Sequence, residues 1–561
     1  MSYQPMSIID PADTPTVVDP PPVNQSFRFR NFLVPLGIYD ITNTAFQAQD
    51  LFCAGQTWSP FGDLIVAGGT GFDAASTPLF DGAVVTMVMN PRLPSADYPG
   101  VTASLYPGFD GMWKRGDDLE DARWYPTTTL TNRLLRLANT TYPSGREVVV
   151  VAGGSNDDGS NLPQDNPTWN TYEALVINQE ATPTNVGYEK DFIGSPPVYT
   201  WDGPGTDTDY RVDWLYEYPR LHLLSNGRLF FSGYPPRAAT VDHDAGPGSW
   251  TKTPGQPGKK YSSVWTALRH DAPSLLFPNL GGGTPDIVYR LGGCDEHWYD
   301  PPGGVPGSPN GTTATMESIH AAVPGATWQA AASMPSTNGT NGGRFLCNAV
   351  ITPTGSILVF GGLHRAQNTA GGVLTNFTPV FNVQMFENGN WTTLSANPVV
   401  VGPNLPLPIR DYHSTAVLLP DGRVFVGGGN IRNYDYEIYS PPYLSLARPQ
   451  NVAFNPTPVF DPFMGAHVLN YGATYTIQCN NLGPEGLSLA KAVLMSPGAM
   501  THHSDMHARY FELSAEESSV TSSYITFVAP NNDREVPRGI YMLFLVTDEG
   551  GISEATWVVL R

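Results

Sequence analysis

The sequence predicts an all-β protein, in which a seven-bladed β-propeller is followed by an immunoglobulin-like β-sandwich. Three observations support this prediction: a repeated strand ending in paired glycines, a composition rich in turn residues, and a change of pattern near residue 440. The chain has 561 residues with 57 Gly and 53 Pro, and only 14% of its residues are charged. Such a composition is typical of short strands joined by tight turns.

The repeat is an apolar strand that follows a small polar turn and ends in Gly-Gly, a pattern of the kelch type. Spacings of roughly 60 to 85 residues exceed the roughly 50 of a plain kelch repeat, which predicts long loops on the blades. The strand-like segment FRFRNFLVPLGIYD, residues 27–40, could supply or complete a seventh blade. Six copies are visible, and they end at Gly68-Gly69, Gly153-Gly154, Gly233, Gly292-Gly293, Gly361-Gly362 and Gly427-Gly428-Gly429.

Three segments follow from this pattern. Residues 1–25 form a Pro-rich acidic tail, residues 26–440 form the propeller with a site on its axis, and residues 441–561 form the sandwich. The last segment lacks the Gly-Gly repeat and contains short β-rich stretches such as ATYTIQC, SSYITFVAP and GIYMLFLVTDEGG. We expect a loop of this sandwich to reach the propeller site.

Charge and hydropathy exclude several classes of partner. Lys plus Arg is 30 and Asp plus Glu is 51, giving a net charge of −21 that repels nucleic acid and anionic membrane surfaces. No apolar run is long enough for a membrane-spanning helix. The opening residues have neither a basic nor an apolar region of the kind found in a secretion signal. Six N-x-S/T sequons are nevertheless compatible with a secretory route, so we expect an extracellular monomer.

The candidate site begins with oxidisable side chains in related repeat positions. Cys53 lies 15 residues before Gly68, and Tyr412 lies 15 residues before Gly427, which predicts equivalent positions in two blades. His413 follows directly. Tyr125 in the RWY segment has the same motif shape, although an insertion lengthens its distance to the next glycines. A lone Cys or Tyr is more often a packing residue, but several in related positions favour a functional site.

The predicted sandwich contributes GAMTHHSDMHARYFEL, a stretch with three of the eleven histidines of the chain. Imidazole together with phenolate suits Cu(II) better than it suits Ca²⁺ or Mg²⁺. A solvated polar loop is the alternative interpretation of the segment. The three histidines are His502, His503 and His507.

Four motifs occur in an order that resembles the copper radical oxidases, the family of galactose oxidase and glyoxal oxidase. They are FCAG at Cys53, RWY at Tyr125, R-x-YHS-x-x-x-LLPDGRVF-x-GGG at Tyr412 and His413, and TH…R beginning at Thr501. The resemblance covers roughly residues 45 to 561. It implies a copper site at the propeller axis, closed by a loop of the second domain, with no need for flavin or NAD.

The resemblance also implies individual roles. Tyr125 would be a copper ligand joined through its ring to the sulfur of Cys53, and this thioether-tyrosine would hold a radical. Tyr412 would be the axial ligand and the base. His413 and His502 would be the imidazole ligands, with His503 as the alternative to His502. Substrate oxidation would reduce dioxygen to hydrogen peroxide.

The substrate expected from the resemblance is a small aldehyde or primary alcohol, as for glyoxal oxidase. Galactose-oxidising members stack a Trp over the thioether, whereas here SNDDG places Asn156 at that point, and only about 25 residues precede the first recognisable strand. Arg220 in YPRLHLL resembles a substrate-contacting arginine, although a salt bridge at a blade edge would explain it equally. Asn156 and Arg220 are therefore candidate substrate residues.

Two other functions fit the same fold. A non-catalytic kelch propeller could bind a protein or glycan partner, since a fold does not dictate a function. A degenerate oxidase kept as a structural protein would bind copper without turnover. Metal analysis and a peroxide assay distinguish these possibilities from an active oxidase.

Overall fold

The computed structural model describes residues 3–8, 30–35, 48–72, 80–89, 113–115, 118–119, 121–131, 148–155, 171–178, 187–190, 199–200, 218–232, 239–241, 250–252, 271–278, 286–294, 312–323, 326–336, 342–368, 374–394, 409–429, 436–462, 464–480, 487–513, 515–520 and 523–561. Within these ranges the elements are β-strands and a single 3-10 helix, Pro442–Ser445, which confirms the all-β prediction. No described helix is long and apolar enough to cross a membrane.

The first strands form three sheets. β1 pairs with β2, the small sheet has the order β3-β6-β7, and blade 1 has the order β4-β5-β8-β9. The predicted tail therefore contains a strand, and the segment proposed for a seventh blade pairs with it. The strands are β1 (Tyr3–Ile8), β2 (Arg30–Pro35), β3 (Ala48–Asp50), β4 (Gly55–Trp58), β5 (Leu64–Ala67), β6 (Thr70–Phe72), β7 (Phe80–Gly82), β8 (Thr86–Met89) and β9 (Trp113–Arg115).

In blades 2 to 4, neighbouring strands of each sheet follow one another in chain order. Their orders are β10-β11-β12-β13, with β14 pairing β12, then β15-β16-β17-β18 and β19-β20-β21-β22. The strands are β10 (Thr127–Leu130), β11 (Val148–Ala152), β12 (Thr171–Asn178), β13 (Gly187–Lys190), β14 (Tyr199–Thr200), β15 (Leu221–Leu223), β16 (Leu229–Phe231), β17 (Ala239–Val241), β18 (Trp250–Lys252), β19 (Ser274–Phe277), β20 (Ile287–Leu291), β21 (Met316–His320) and β22 (Gln329–Ala331).

Blades 5 and 6 repeat this antiparallel plan. Their orders are β23-β24-β26-β27, with β25 pairing β24, and β28-β29-β30. The strands are β23 (Phe345–Ile351), β24 (Ile357–Asn368), β25 (Leu374–Pro379), β26 (Val383–Glu387), β27 (Asn390–Leu394), β28 (Ser414–Leu418), β29 (Val424–Gly428) and β30 (Tyr436–Tyr439). The first strands of successive blades contact each other, as β4 does with β10 and β23 with β28, so they line a common axis. A seventh blade stays a prediction.

The paired glycines lie where neighbouring blades meet. A Cβ on Gly68 would lie 2.6 Å from the carbonyl oxygen of Arg123 in blade 2, closer than real Cβ atoms approach. The N–H of Gly69 donates to the same oxygen at 2.9 Å. Equivalent bonds join Gly293 to Arg344 at 2.8 Å and Gly362 to Arg410 at 2.7 Å. The repeat recognised in the sequence therefore marks the contact between one blade and the next.

The remaining strands form two sheets and a short hairpin. The sheet orders are β31-β34-β40-β39 and β32-β33-β42-β41-β35-β38, and β36 pairs with β37. The strands are β31 (Gln450–Phe454), β32 (Phe460–Asp461), β33 (Ala466–Leu469), β34 (Thr474–Asn480), β35 (Leu489–Met495), β36 (Met500–Thr501), β37 (Ser504–Asp505), β38 (Tyr510–Leu513), β39 (Ala515–Val520), β40 (Tyr524–Val528), β41 (Gly539–Thr547) and β42 (Thr556–Leu560). The predicted boundary at residue 440 stays a prediction.

The six-stranded sheet is buried on both faces because side chains alternate across a strand. On β41, Leu543 and Leu545 pack into the core between the two sheets. Met542 and Phe544 on the same strand pack instead against the core of the blades, which contains Val359 and other residues of blades 5 and 6. This double burial attaches the second domain to the propeller and orients its hairpin.

Candidate metal centre

Each described blade carries one non-glycine residue with positive φ at the start of its first strand. The N–H of Tyr125 donates to the carbonyl of Cys53 at 3.0 Å, and the N–H of Tyr218 donates to that of Tyr125 at 2.6 Å, so these residues follow one another around the axis. Such backbone costs about 1–3 kcal/mol per residue and persists only where the fold imposes it. The set is Cys53 (64°), Tyr125 (60°), Tyr218 (43°), Asp271 (54°), Leu346 (54°) and His413 (68°).

This set corrects one part of the sequence prediction. Thr415 pairs with Gly427 in blade 6 as Gly55 pairs with Ala67 in blade 1, so His413, not Tyr412, is the equivalent of Cys53. The prediction was wrong by one residue. In blade 6 the two glycines with positive φ, at 75° and 123°, are the second and third of the triplet, whereas the count had started from the first. Tyr125 is confirmed as an equivalent of Cys53, since Thr127 pairs with Ala152 in the same way.

The hairpin of β36 and β37 enters the axis between blades 1 and 6, where β36 contacts both β4 and β28. Its carboxylate Asp505 is half-buried and accepts hydrogen bonds from the backbone N–H groups of Ala499 at 2.9 Å and His507 at 3.0 Å. Burial raises the pKa of Asp505, and these donors oppose that shift. The Trp58 indole N–H donates to the Gly498 carbonyl at 2.9 Å. The hairpin is therefore fixed both internally and against blade 1.

A thiol and two imidazoles meet at the tip of this hairpin. The donor atoms of Cys53, His413 and His502 lie within 4.8 Å of one another. The Cys53 Sγ is 3.7 Å from His502 Nε2, and the His502 Nδ1 is 2.8 Å from Thr501 Oγ1, which orients the ring. Burial lowers the pKa of His502 well below its usual value, and His413, His503 and Arg220 lower it further. The imidazole is therefore neutral, as a metal ligand must be.

Two phenols complete the cluster. The hydroxyls of Tyr125 and Tyr412 form a short hydrogen bond with each other. Both rings lie 5.0 Å from the His502 ring, and Tyr412 lies 3.9 Å from that of His413. Burial, followed by Tyr412, Cys53 and Tyr218, raises the pKa of Tyr125 well above its usual value. The Tyr125 phenol thus needs a nearby positive charge before it loses its proton easily.

A family model described as Galactose oxidase-like, Early set domain matches residues 458–560. A galactose oxidase of Gibberella zeae is 23% identical over 539 residues, which span 93% of this chain and 62% of that protein. An aldehyde oxidase GLOX of Vitis pseudoreticulata is 27% identical over 383 residues, 63% of each chain. The chain thus spans less than two thirds of the length of these curated relatives.

A solved structure shares the overall fold. It is a fungal alcohol oxidase of the AA5 family in complex with copper, with a TM-score of 0.57 at 19% identity, covering 92% of this chain and 86% of that one. The resemblance to the copper radical oxidases is confirmed.

The donor set fits the copper expected from this resemblance. Two imidazoles and two phenol oxygens are the nitrogen and oxygen donors that Cu(II) prefers in a tetragonal site. Carboxylates, which Ca²⁺ and Mg²⁺ would require, are missing from the group of metal-binding side chains found among the described residues. The candidate ligands are therefore the four residues that the sequence resemblance implied, Tyr125, Tyr412, His413 and His502.

The geometry favours His502 over His503 as the fourth ligand. The His503 ring is 6.5 Å from that of Tyr412, compared with 5.0 Å for His502, and His503 is not part of the group of converging donor atoms. Its side chain is 1% exposed, and neither ring nitrogen has a hydrogen-bond partner among the described residues.

The two predicted substrate residues fare differently. Arg220 is buried, and its guanidinium donates to the carbonyls of Tyr218 at 2.7 Å and Ala272 at 3.1 Å, which ties blade 3 to blade 4. Its charge also lowers the pKa of His502 and of His503. Substrate contact by Arg220 stays a prediction. Asn156 lies outside the described residues.

Three aromatic residues of the centre escaped the sequence prediction. The Trp124 ring lies 4.3 Å from that of Tyr125, and the Tyr218 ring lies 4.9 Å from Tyr125 and 4.8 Å from His502. Phe52 is 44% exposed, and its ring centroid lies 5.0 Å from that of His413. Trp124 and Phe52 are chain neighbours of predicted residues, and Tyr218 lies two residues before Arg220, so local motif context was the available signal.

Proposed function

We propose that the protein is a copper radical oxidase that oxidises small aldehydes or primary alcohols with dioxygen and releases hydrogen peroxide. The observation that carries this proposal is the convergence of Cys53, Tyr125, Tyr412, His413 and His502 at one point of the propeller axis. These residues come from blades 1, 2 and 6 and from the second domain. A propeller that only binds a partner has no need for this combination of donors.

In this proposal the imidazoles of His413 and His502 and the phenols of Tyr125 and Tyr412 hold the metal. Copper would take up one electron and would favour the deprotonated form of the coordinated phenols. Tyr412 accepts the hydroxyl proton of the alcohol or of the hydrated aldehyde. Because Tyr412 contacts both the Tyr125 hydroxyl and the His413 ring, this proton arrives inside a buried hydrogen-bonded group.

The oxidation removes two electrons, so the second must be stored outside the metal. We propose that the Tyr125 ring, once joined to Cys53 by a thioether, accepts it as a one-electron-oxidised radical. Dioxygen takes up the two electrons and two protons, leaves as hydrogen peroxide and so regenerates the radical. Formation of this crosslink breaks the Cys53 S–H bond and one Tyr125 ring C–H bond and forms one C–S bond. The two electrons and two protons released reduce dioxygen to hydrogen peroxide. The backbone hydrogen bond between these residues supports the pairing.

The residues around the centre favour small substrates. Phe52 and Trp124 adjoin the candidate ligands, and Phe377 and Phe381 pack against the same cluster. These aromatic side chains suit a short alcohol, aldehyde or benzylic group better than a sugar, whose hydroxyls need polar partners. The two curated relatives described above are named a galactose oxidase and an aldehyde oxidase, and the aromatic side chains favour the second type of substrate. Secretion and a monomeric state stay predictions from the sequence.

Copper content and peroxide formation test the proposal together. We expect one copper per chain after loading and desalting, and peroxide on addition of methylglyoxal, benzyl alcohol or glycerol. His502→Ala should lose copper, whereas His503→Ala is the matched control and should keep it. Wild-type protein that folds but retains no copper would contradict the proposal. Retained copper without peroxide from any substrate would support the degenerate oxidase instead.

A further inference from the structure

Met506, four residues after His502, makes contacts at the centre although it is not one of the candidate ligands. Its side chain is 4% exposed and belongs to the cluster that contains Cys53, Tyr125 and Tyr412. Its sulfur accepts hydrogen bonds from the backbone N–H of Gln56 at 3.3 Å and of Thr128 at 3.5 Å. The Thr128 hydroxyl also reaches this sulfur at 3.7 Å.

The two backbone donors occupy equivalent positions in neighbouring blades. Gln56 is three residues after Cys53 on β4, and Thr128 is three residues after Tyr125 on β10. One sulfur atom of the second domain thus joins the two strands that begin just after the proposed crosslink partners. Inner strands of neighbouring blades belong to different sheets. The backbone hydrogen bond from Tyr125 to Cys53 joins the segments just before β4 and β10, but no ladder between these two strands continues it.

The other hairpin contacts do not make this bridge. Gln56 Nε2 donates to the Met500 carbonyl at 2.7 Å, and Thr57 Oγ1 lies 2.9 Å from His507 Nδ1, so both attach the hairpin to blade 1. Arg509 donates to the Leu130 carbonyl at 2.6 Å and attaches it to blade 2. Among these contacts, Met506 alone joins both strands through one atom.

We propose that Met506 is a positioning residue whose sulfur sets the separation of β4 and β10, and thereby holds the Cys53 thiol against the Tyr125 ring for thioether formation. This rests on the proposed function, because it assumes the crosslink. It also makes cofactor formation depend on docking of the second domain, since the same loop supplies His502. When a protein holds two reacting groups in a fixed geometry, a displacement of about 1 Å can lower the rate by up to about 100-fold.

The test is the rate of crosslinking in the full-length, copper-loaded chain under air. Met506→Leu keeps a similar volume and removes the acceptor. We expect it to crosslink about ten- to 100-fold more slowly than wild type, with copper content unchanged. Met506→Gln restores an acceptor oxygen and should recover part of the rate. Met542→Leu is the matched control, because Met542 is as buried in the same domain and its sulfur has no hydrogen bond to the described residues.

Crosslinking is followed by intact mass and by peptide analysis under reducing conditions, with the melting temperature as a second measurement. If Met506→Leu crosslinks as fast as wild type, or if Met506→Gln is as slow as Met506→Leu, the positioning role is overturned. A loss of copper or a melting temperature well below that of Met542→Leu would show that Met506 only packs the domain interface. Copper-loaded wild type that never crosslinks would overturn both this role and the proposed cofactor.

Discussion

The segment that presents Tyr125 is held by a buried ion pair, and its removal gives a quantitative prediction. Arg123 is 0% exposed, its Nε lies 3.0 Å from Glu173 Oε1, and its Nη1 donates to the Gly153 carbonyl at 2.8 Å. Glu173→Gln leaves the guanidinium buried without its counter-charge, which costs about 3–5 kcal/mol. With an unfolding entropy of about 2.1 cal/mol/K per residue over 561 residues, the melting temperature falls by about 2.5–4 °C.

Blade 4 offers a matched control for this variant. Arg290 Nε lies 2.6 Å from Glu317 Oε1, and both side chains are equally buried, but the axial residue of blade 4 is Asp271 and no candidate ligand. Glu317→Gln should lower the melting temperature by the same few degrees.

Only Glu173→Gln should slow turnover at 25 °C, by about tenfold, because it loosens the backbone next to Tyr125. Scanning calorimetry and peroxide assays on copper-loaded proteins measure both effects. Equal losses of activity in the two variants would refute the link to Tyr125. Unchanged melting temperatures would refute the energetic reasoning.

Three further outcomes are expected. Tyr412→Phe keeps the buried ring but removes the proton acceptor, so kcat in the peroxide assay should fall by about 10²–10⁴-fold. Methylglyoxal or benzyl alcohol should give a higher kcat/KM than galactose. The reverse order would contradict the proposal that the aromatic side chains around the centre favour small substrates. Burial followed by Arg220 lowers the pKa of His222 to about 3, so below pH 6.5 the unfolded chain takes up a proton that the folded chain refuses. This removes about 2 kcal/mol of stability from the metal-free protein at pH 5, and His222→Gln should flatten the fall of the melting temperature between pH 7 and pH 5.

The blades could be predicted from the sequence because their glycines meet a strict local requirement. At Gly68, Gly292 and Gly361 a carbonyl of the next blade leaves no room for a side chain, so the residue type itself records the contact. The repeat position of Tyr412 could not be derived as securely. Blade 6 has three successive glycines, and the sequence does not show which two of them adopt positive φ. Blade 3 was recognised by the single Gly233, which lies outside the described residues, and its axial Tyr218 was missed.

Part of the candidate site could also be predicted from the repeat pattern. Cys53, Tyr125 and His413 lie at equivalent repeat positions, which a sequence can reveal. His502 reaches them only because the second domain packs on the blades through residues such as Met542 and Phe544. That docking depends on contacts far apart in the chain, and the sequence therefore left His502 and His503 as alternatives. The bridge made by Met506 is hidden for the same reason.

The mass of the chain before and after exposure to copper and dioxygen tests most directly whether Cys53 and Tyr125 form the radical cofactor. We expect a loss of two hydrogens per chain, with the peptides of Cys53 and Tyr125 recovered as one species after digestion under reducing conditions. Cys53→Ser should fold and bind copper, show no mass change, and turn over far more slowly. A Cys53 thiol that is freely alkylated in an active, copper-loaded preparation would rule out the thioether between Cys53 and Tyr125.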